Sequence, residues 1–322
     1  MMKLLMAALV VTLIADSNPP PAGAQPIPEV VTRCLIREHD TNGTLNNCTE
    51  AISALGLTTQ LRALVYNARG QANCWRGQFD LALADQNEAI ALAPNFPDAY
   101  RDRAGCYLGK NEPKAALADY DEAIRLSPQT PGYYRDRAWL LNWMGLHDRA
   151  LADYDHLIAM RPQFNTAIDE RAKTLFDLGR YGEAAPDFVR DIHLTPGDPR
   201  PILWLHVDRL RAHTPDADEF AANIKTLNLT GWPAPLFYLF LGKATLDTIE
   251  VASAQSPEGD VEGECEVAVF VGEFHLTRGE TDDAIQSFKE AASVCDHTQN
   301  RYLTAWAELK RLDPTLSAAG PW

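Results

Sequence analysis

Four prolines, Pro94, Pro128, Pro162 and Pro196, stand 34 residues apart, and other columns keep the same step. Ala82, Ala116, Ala150 and Ala184 form one column; Gln86, Tyr120, Tyr154 and Phe188 form another. Tyr66, Tyr100, Tyr134 and Ile168 follow, and Gly70, Ala104, Ala138 and Ala172 are small throughout. A fixed period of this length means one supersecondary unit repeated, each copy unable to bury its apolar face alone. Each unit reads as two antiparallel helices, A and B. The small columns let the two backbones approach, and the aromatic columns fill the space beside them. The proline ends helix B, because the residue before it is pushed out of α geometry.

A charge pattern runs in the same register. Arg69, Arg103, Arg137 and Arg171 form one column, and Asp85, Asp119, Asp153 and Asp187 lie 16 residues later each time. Those positions face each other across an antiparallel hairpin. The spacing predicts an Arg–Asp bridge inside each central repeat, there for register and not for catalysis. A later copy of the unit has Val271 and Ser287 in the two places, so both members are missing together.

The period and its columns resemble the tetratricopeptide repeat (TPR) family over residues 61–196. The fold this implies is all-α: a solenoid of antiparallel helix hairpins, a right-handed superhelix, with an N-terminal cap and an irregular C-terminal helical segment. The repeats fall at about 63–96, 97–130, 131–164 and 165–198. TPR arrays bind extended peptides along a concave face lined by A helices. Carried over by register, that face holds Asn67, Gln71 and Trp75 in repeat one, and Arg101 and Asp102 in repeat two. Repeat three supplies Arg135, Asp136, Trp139, Asn142 and Trp143; repeat four supplies Asp169, Glu170, Lys173 and Phe176. Arg135, Trp139 and Trp143 share one helical stripe, and Trp and Arg are favoured hot-spot residues. The alternative is that these Trp pack within the array or against the C-terminal segment. The groove mixes signs, so neither a purely acidic nor a purely basic ligand is favoured.

The ends depart from the period. Residues 25–60 read as a cap, with Thr49–Leu55 as the second helix of a truncated repeat. Residues 197–260 read as a degenerate repeat and linker: helices over Ile202–Ala212 and Asp216–Leu227, a break at Trp232-Pro233-Ala234-Pro235, a dense apolar run Leu236–Leu241, and a surface loop Ser256–Gly263. A last hairpin and closing helix occupy residues 261–313, with a tail over 314–322. Arg301, Glu308, Lys310 and Arg311 are expected to give the closing helix a polar outer face. This C-terminal region resembles exported TPR proteins of Gram-negative bacteria, including envelope lipoproteins, although no cysteine lies between residues 15 and 25 to carry a lipid.

The N-terminus reads as an export signal over residues 1–24. Lys3 precedes the twelve apolar residues Leu4–Ala15, and Ala22-Gly23-Ala24 is an A-x-A cleavage pattern. A spanning helix needs about 20 apolar residues, so stable membrane insertion after cleavage is not expected. The expected location is the periplasm. The formal net charge of −15 argues against nucleic acid and anionic lipid as partners.

Six cysteines in an exported chain suggest three disulfides. Cys265 and Cys295 mark the ends that an antiparallel hairpin brings together. Cys34 and Cys48 bracket the cap loop. Cys74 and Cys106 remain, on the A helices of adjacent repeats. Buried free thiols are the alternative. No catalytic motif or C-x₂-C pair occurs among the eight histidines and six cysteines, so no catalytic residue, cofactor or metal is expected. Asp40-Thr41-Asn42-Gly43 reads as a turn, and Asp169-Glu170 as a solvated pair. The expected function is a non-catalytic scaffold that binds a protein or peptide partner in the concave groove. The alternative is a structural protein that forms a homo-oligomer through exposed repeat ends or the apolar 232–241 segment.

Overall fold

The computed structural model describes residues 28–36, 41–54, 56–214, 216–227, 229, 231–253, 260–296 and 300–318. The export signal lies outside them. Among the described residues all regular structure is helical, and no helix is long and apolar enough to cross a membrane. The chain divides into two compact units, 1–137 and 138–322.

The first unit opens with the cap helices α1 (Glu29–Ile36) and α2 (Thr41–Ile52). Thr41, Asn42 and Gly43, expected as a turn, form the first turn of α2. Next come the hairpin α3 (Thr59–Trp75) and α4 (Phe79–Leu92), and the hairpin α5 (Pro97–Gly109) and α6 (Pro113–Leu126). The unit boundary falls within α7 (Pro131–Trp143). Sequence sets the helix ends. Ala93 and Ser127, each before a period proline, are the C-caps of α4 and α6 at ψ 81° and 77°. The turn between helices A and B needs a positive φ. Gly77 supplies it at 71°, and Asn111 supplies it at 59° one repeat later, Asn being among the few side chains that tolerate this region.

The Arg column clamps more than its own hairpin. Arg69 donates to both oxygens of Asp85, at 2.6 and 2.9 Å, and Arg103 to both of Asp119, at 2.7 and 2.8 Å. Each also reaches back to the preceding helix: Arg103 to Asn87 Oδ1 at 2.7 Å, and Arg137 to Asp121 Oδ1 at 2.7 Å. The guanidinium of Arg69, Arg103 and Arg137 lies over the column tyrosine three residues earlier, Tyr66, Tyr100 or Tyr134. One side chain therefore ties helix A to two B helices and covers an aromatic face. Arg137 and Asp153 fall in different units.

The second unit continues with α8 (His147–Met160), then the hairpin α9 (Asn165–Asp177) and α10 (Tyr181–Leu194). Arg171 repeats the clamp, bonding both oxygens of Asp187 at 2.7 Å and Asp155 at 2.5 Å. The degenerate segment forms α11 (Arg200–Arg211), α12 (Ala217–Ile224), α13 (Ala234–Phe240) and α14 (Leu246–Ser253). The last hairpin is α15 (Asp260–Thr277) and α16 (Thr281–Val294), followed by the closing helix α17 (Asn300–Leu312). The expected surface loop over Ser256–Gly263 is corrected: residues 260–263 are already helical in α15, and 254–259 lie outside the described residues. In the dense run Leu236–Leu241, Leu236, Phe237 and Leu239 are buried in this unit's core, while Tyr238 is exposed. That core centres on Trp204, whose ring lies 5.2 Å from Phe176 and 4.7 Å from Phe270.

Three disulfides form: one in the cap, one between the A helices α3 and α5, and one across the last hairpin. Cα–Cα separations are 4.7 Å for Cys34–Cys48, 5.6 Å for Cys74–Cys106 and 4.9 Å for Cys265–Cys295. All lie within the span a disulfide bridges.

Candidate functional site

In the first unit, Asn67 and Gln71 lie one helical turn apart on α3, and Asp98 and Asp102 one turn apart on α5, so each pair shares a face. These faces line a cleft of about 850 Å³. Leu35 of the cap, Leu64 of α3 and Leu92 with Phe96 after α4 supply its apolar wall. At its floor Asn67 Nδ2 donates to Asp102 Oδ2 at 2.8 Å. A carboxylate only accepts, so this bond fixes which end of the amide faces it. Asn67 Oδ1 is left buried with no hydrogen-bond partner, and so is Gln71 Oε1. Asp98 Oδ1 accepts the hydroxyl of Tyr133 at 2.7 Å, and burial, then this bond, holds that phenol above its ordinary range. Arg101 Nε donates to Asp136 Oδ2 at 2.6 Å, and Arg135 Nη2 to Asp136 Oδ1 at 2.8 Å.

The expected groove residues thus separate. Asn67, Gln71, Arg101 and Asp102 come together around the cleft. Asp136 stands behind Arg101 as its counter-ion, and Arg135 is exposed beside it. Trp75, 67% exposed at the end of α3, is not part of the cleft lining.

The second unit corrects the rest of the expectation. Phe176 is fully buried, edge-on to Tyr181 and Trp204. Asn142 is buried, donating to Thr174 Oγ1 at 2.5 Å, with its carbonyl oxygen 3.1 Å from His147 Nδ1. Trp143 packs against the same core as Phe176, and Trp139 is half-buried. The Arg135, Trp139, Trp143 stripe therefore does not stand open along its length. Lys173 Nζ is held by Asp169 Oδ2 at 2.7 Å, and Asp169 and Glu170 are half-buried, not solvated.

The cause is α17. It packs on α9, the A helix of repeat four. Thr304 Oγ1 donates to Asp177 Oδ1 at 2.7 Å, and Arg311 Nη2 to the Asp177 carbonyl at 2.9 Å. The expected polar outer face of α17 is likewise corrected. Glu308 is fully buried and paired with Arg211 at 3.1 Å and with Arg311; Arg301 bonds Glu266 at 3.0 Å. Arg211 also holds the buried Glu273 at 2.5 Å. Burial pushes the Glu273 carboxyl upward, reinforced by Glu308, and burial pushes Asp177 up to about 8. Titratable groups do converge here, but they are engaged with one another. Among the described residues His275, Glu280 and Asp283 approach a metal-binding spacing. Glu280 is already bonded by Arg278 at 2.8 Å and His275 at 2.7 Å, so a cation would compete with a guanidinium.

Asp98, Phe96, Leu64 and Leu35 were missed by the sequence reading. Asp98 was findable, four residues before Asp102 on one helix face. Leu35 was not, since the cap follows no repeat register.

Residues 75–131 match the tetratricopeptide repeat family. No curated protein matches the chain. Among solved structures, a tetratricopeptide repeat protein from Parabacteroides merdae ATCC 43184 is similar at TM-score 0.53 and 16% identity, over 87% of this chain and 98% of that one. The C-terminal part of a TPR repeat-containing protein from Cytophaga hutchinsonii is similar at TM-score 0.50 and 14% identity, over 82% and 94%. YrrB, described as a TPR protein with an unusual peptide-binding site, is similar at TM-score 0.50 and 18% identity, over 61% and 97%. At these identities the likeness concerns the fold. The 34-residue period, its paired helices and the match over residues 75–131 agree on the fold, an all-α array of tetratricopeptide-like helix hairpins.

Proposed function

We propose that this protein is a non-catalytic interaction scaffold that binds a peptide segment of a protein partner in the cleft between α3 and α5, and that it works in the periplasm of a Gram-negative bacterium. The observation that carries the binding reading is the buried, unpartnered acceptor Asn67 Oδ1 in a cleft of about 850 Å³. A buried acceptor left without a donor costs ~1–3 kcal/mol, and an extended ligand with N–H groups relieves that cost. The description of YrrB as peptide-binding concerns that protein, and lends the same reading support by analogy of fold. Export is supported by the apolar run Leu4–Ala15 with its A-x-A pattern, and by six cysteines that suit an oxidising compartment.

The test of binding is affinity capture from an envelope extract with the oxidised protein and a folded Asn67→Ala, Phe96→Ala variant. A partner retained by the parent, lost by the variant and still retained by Trp75→Ala supports the cleft. Equal recovery by the parent and the cleft variant sinks it. Location is read separately, by whether the protein leaves cells with the osmotic-shock fraction or stays in the spheroplasts.

A further inference from the structure

Beside its apolar wall the cleft carries two carboxylates and two buried amide oxygens, with Thr59, Gln60 and Asn95 also in the lining. Asn67 Oδ1 and Gln71 Oε1 are buried and unpartnered, and Asn67 is only 3% exposed. Asp98 and Asp102 place two carboxylates one turn apart on the facing helix. The cation in the lining, Arg101, is engaged with Asp136 at 2.6 Å. A carboxylate ligand entering here meets two carboxylates and two acceptor oxygens, and must share Arg101 with Asp136. An ammonium or guanidinium meets the opposite situation. It carries only donors, three on lysine and five on arginine, and finds two carboxylates beside amide oxygens that are already out of water. The net charge of −15 steers cations toward the molecule.

We propose that the cleft between α3 and α5 selects a peptide that inserts a lysine or arginine side chain against Asn67, Gln71, Asp98 and Asp102, with apolar residues on either side against Leu64 and Phe96. This rests on the peptide-binding reading above and adds the chemistry of the ligand. The mixed signs counted over all the A-helix faces do not describe this cleft alone, because Asp136 engages Arg101 and the carboxylates set the local sign.

The test uses the full oxidised chain and three fluorescent nonapeptides of one leucine- and valine-rich sequence, with blocked termini and a central Lys, Gln or Glu. Binding is read by fluorescence anisotropy at low and high salt. The expected order is Lys above Gln above Glu, with a Lys advantage of about tenfold or more, the size of one charge-assisted hydrogen bond. That advantage shrinks with salt and disappears in Asp98→Asn, Asp102→Asn, checked for folding by circular dichroism. The exposed Asp98→Asn alone serves if the pair does not fold, and should remove part of it. Lys and Gln peptides that bind alike, both weakened by Asn67→Ala, overturn the charge selection and leave the peptide cleft standing. A Glu peptide that binds best and is lost in Arg101→Ala overturns it too. A Lys advantage that persists in a folded carboxylate variant places the cation elsewhere. No binding of any of the three peptides removes both the selection and the cleft reading.

Discussion

Arg103 makes five contacts with one guanidinium: both oxygens of Asp119, the amide oxygen of Asn87, and the rings of Tyr100 and Tyr107. The hydrogen bond to Asp119 leads the effects that hold it charged, against the cost of burial. Removing the carboxylate leaves a cation in a half-buried site with too few acceptors. Asp119→Ala should lower stability in urea titration by somewhat less than the ~3–5 kcal/mol of a fully buried pair, because Arg103 keeps some water. Arg103→Ala, Asp119→Ala together should cost less than the sum of the singles, and additive losses would show that the pair does not interact. A second residue-scale prediction concerns the small column. A Cβ at Gly272 would stand 2.7 Å from the ring of Phe288, which is fully buried. Gly272→Ala should therefore lose ~1–3 kcal/mol by overpacking, more than the ~1 kcal/mol of helix propensity returns. A thermal midpoint at or above the parent's would contradict this.

Helix α17 shows how an element changes the meaning of its neighbour. Laid on α9, it leaves Asp177 only partly exposed and gives it one hydroxyl, that of Thr304. Burial raises this carboxyl to about 8 from an unfolded value near 3.8, with Glu308 raising it and Arg311 and Lys173 opposing. The folded state therefore binds a proton that the unfolded state has released. Stability is full below about pH 4 and falls as pH rises through 8. Asp177→Asn keeps an acceptor for Thr304 and carries no charge. It should flatten this part of the pH profile and gain ~1–3 kcal/mol at pH 8.5, read by calorimetry against pH 5. The same element level holds the disulfides. Cys265–Cys295 closes a separation of 30 residues, worth about 3–4 kcal/mol by loop entropy. Cys265→Ser, Cys295→Ser should lower the thermal midpoint in oxidising buffer, and the loss should vanish when parent and variant are compared reduced.

At the scale of the molecule, the A helices of the two units differ in what they face. In the first, Asn67, Gln71 and Asp102 face a cleft; in the second, Phe176 and Trp143 pack into a core that the C-terminal helices complete. Phe176→Ala should cost ~3–5 kcal/mol of stability, as large core truncations do, without lowering peptide affinity in the first unit. Loss of affinity in a folded Phe176→Ala protein would mean that the groove runs through repeat four after all.

Period, helix ends and hairpin pairing were legible in the chain because each rests on neighbours a few residues away. Proline just after a B-helix end, glycine or asparagine in the A–B turn, and small residues opposite aromatics act within one repeat, and the repeat is written four times. The Arg–Asp columns were legible for the same reason, although the reach of Arg103 to Asn87 belongs to packing against the preceding repeat. Which A-helix face stays open was not legible. That depends on α17 returning to α9 across more than 120 residues, as Thr304 bonding Asp177 records, and on Leu35 of a cap with no repeat register reaching the cleft wall. Local patterning specifies the hairpin, because its energetics are local. Exposure of a face is a property of what else packs on it, and only the tertiary structure decides that.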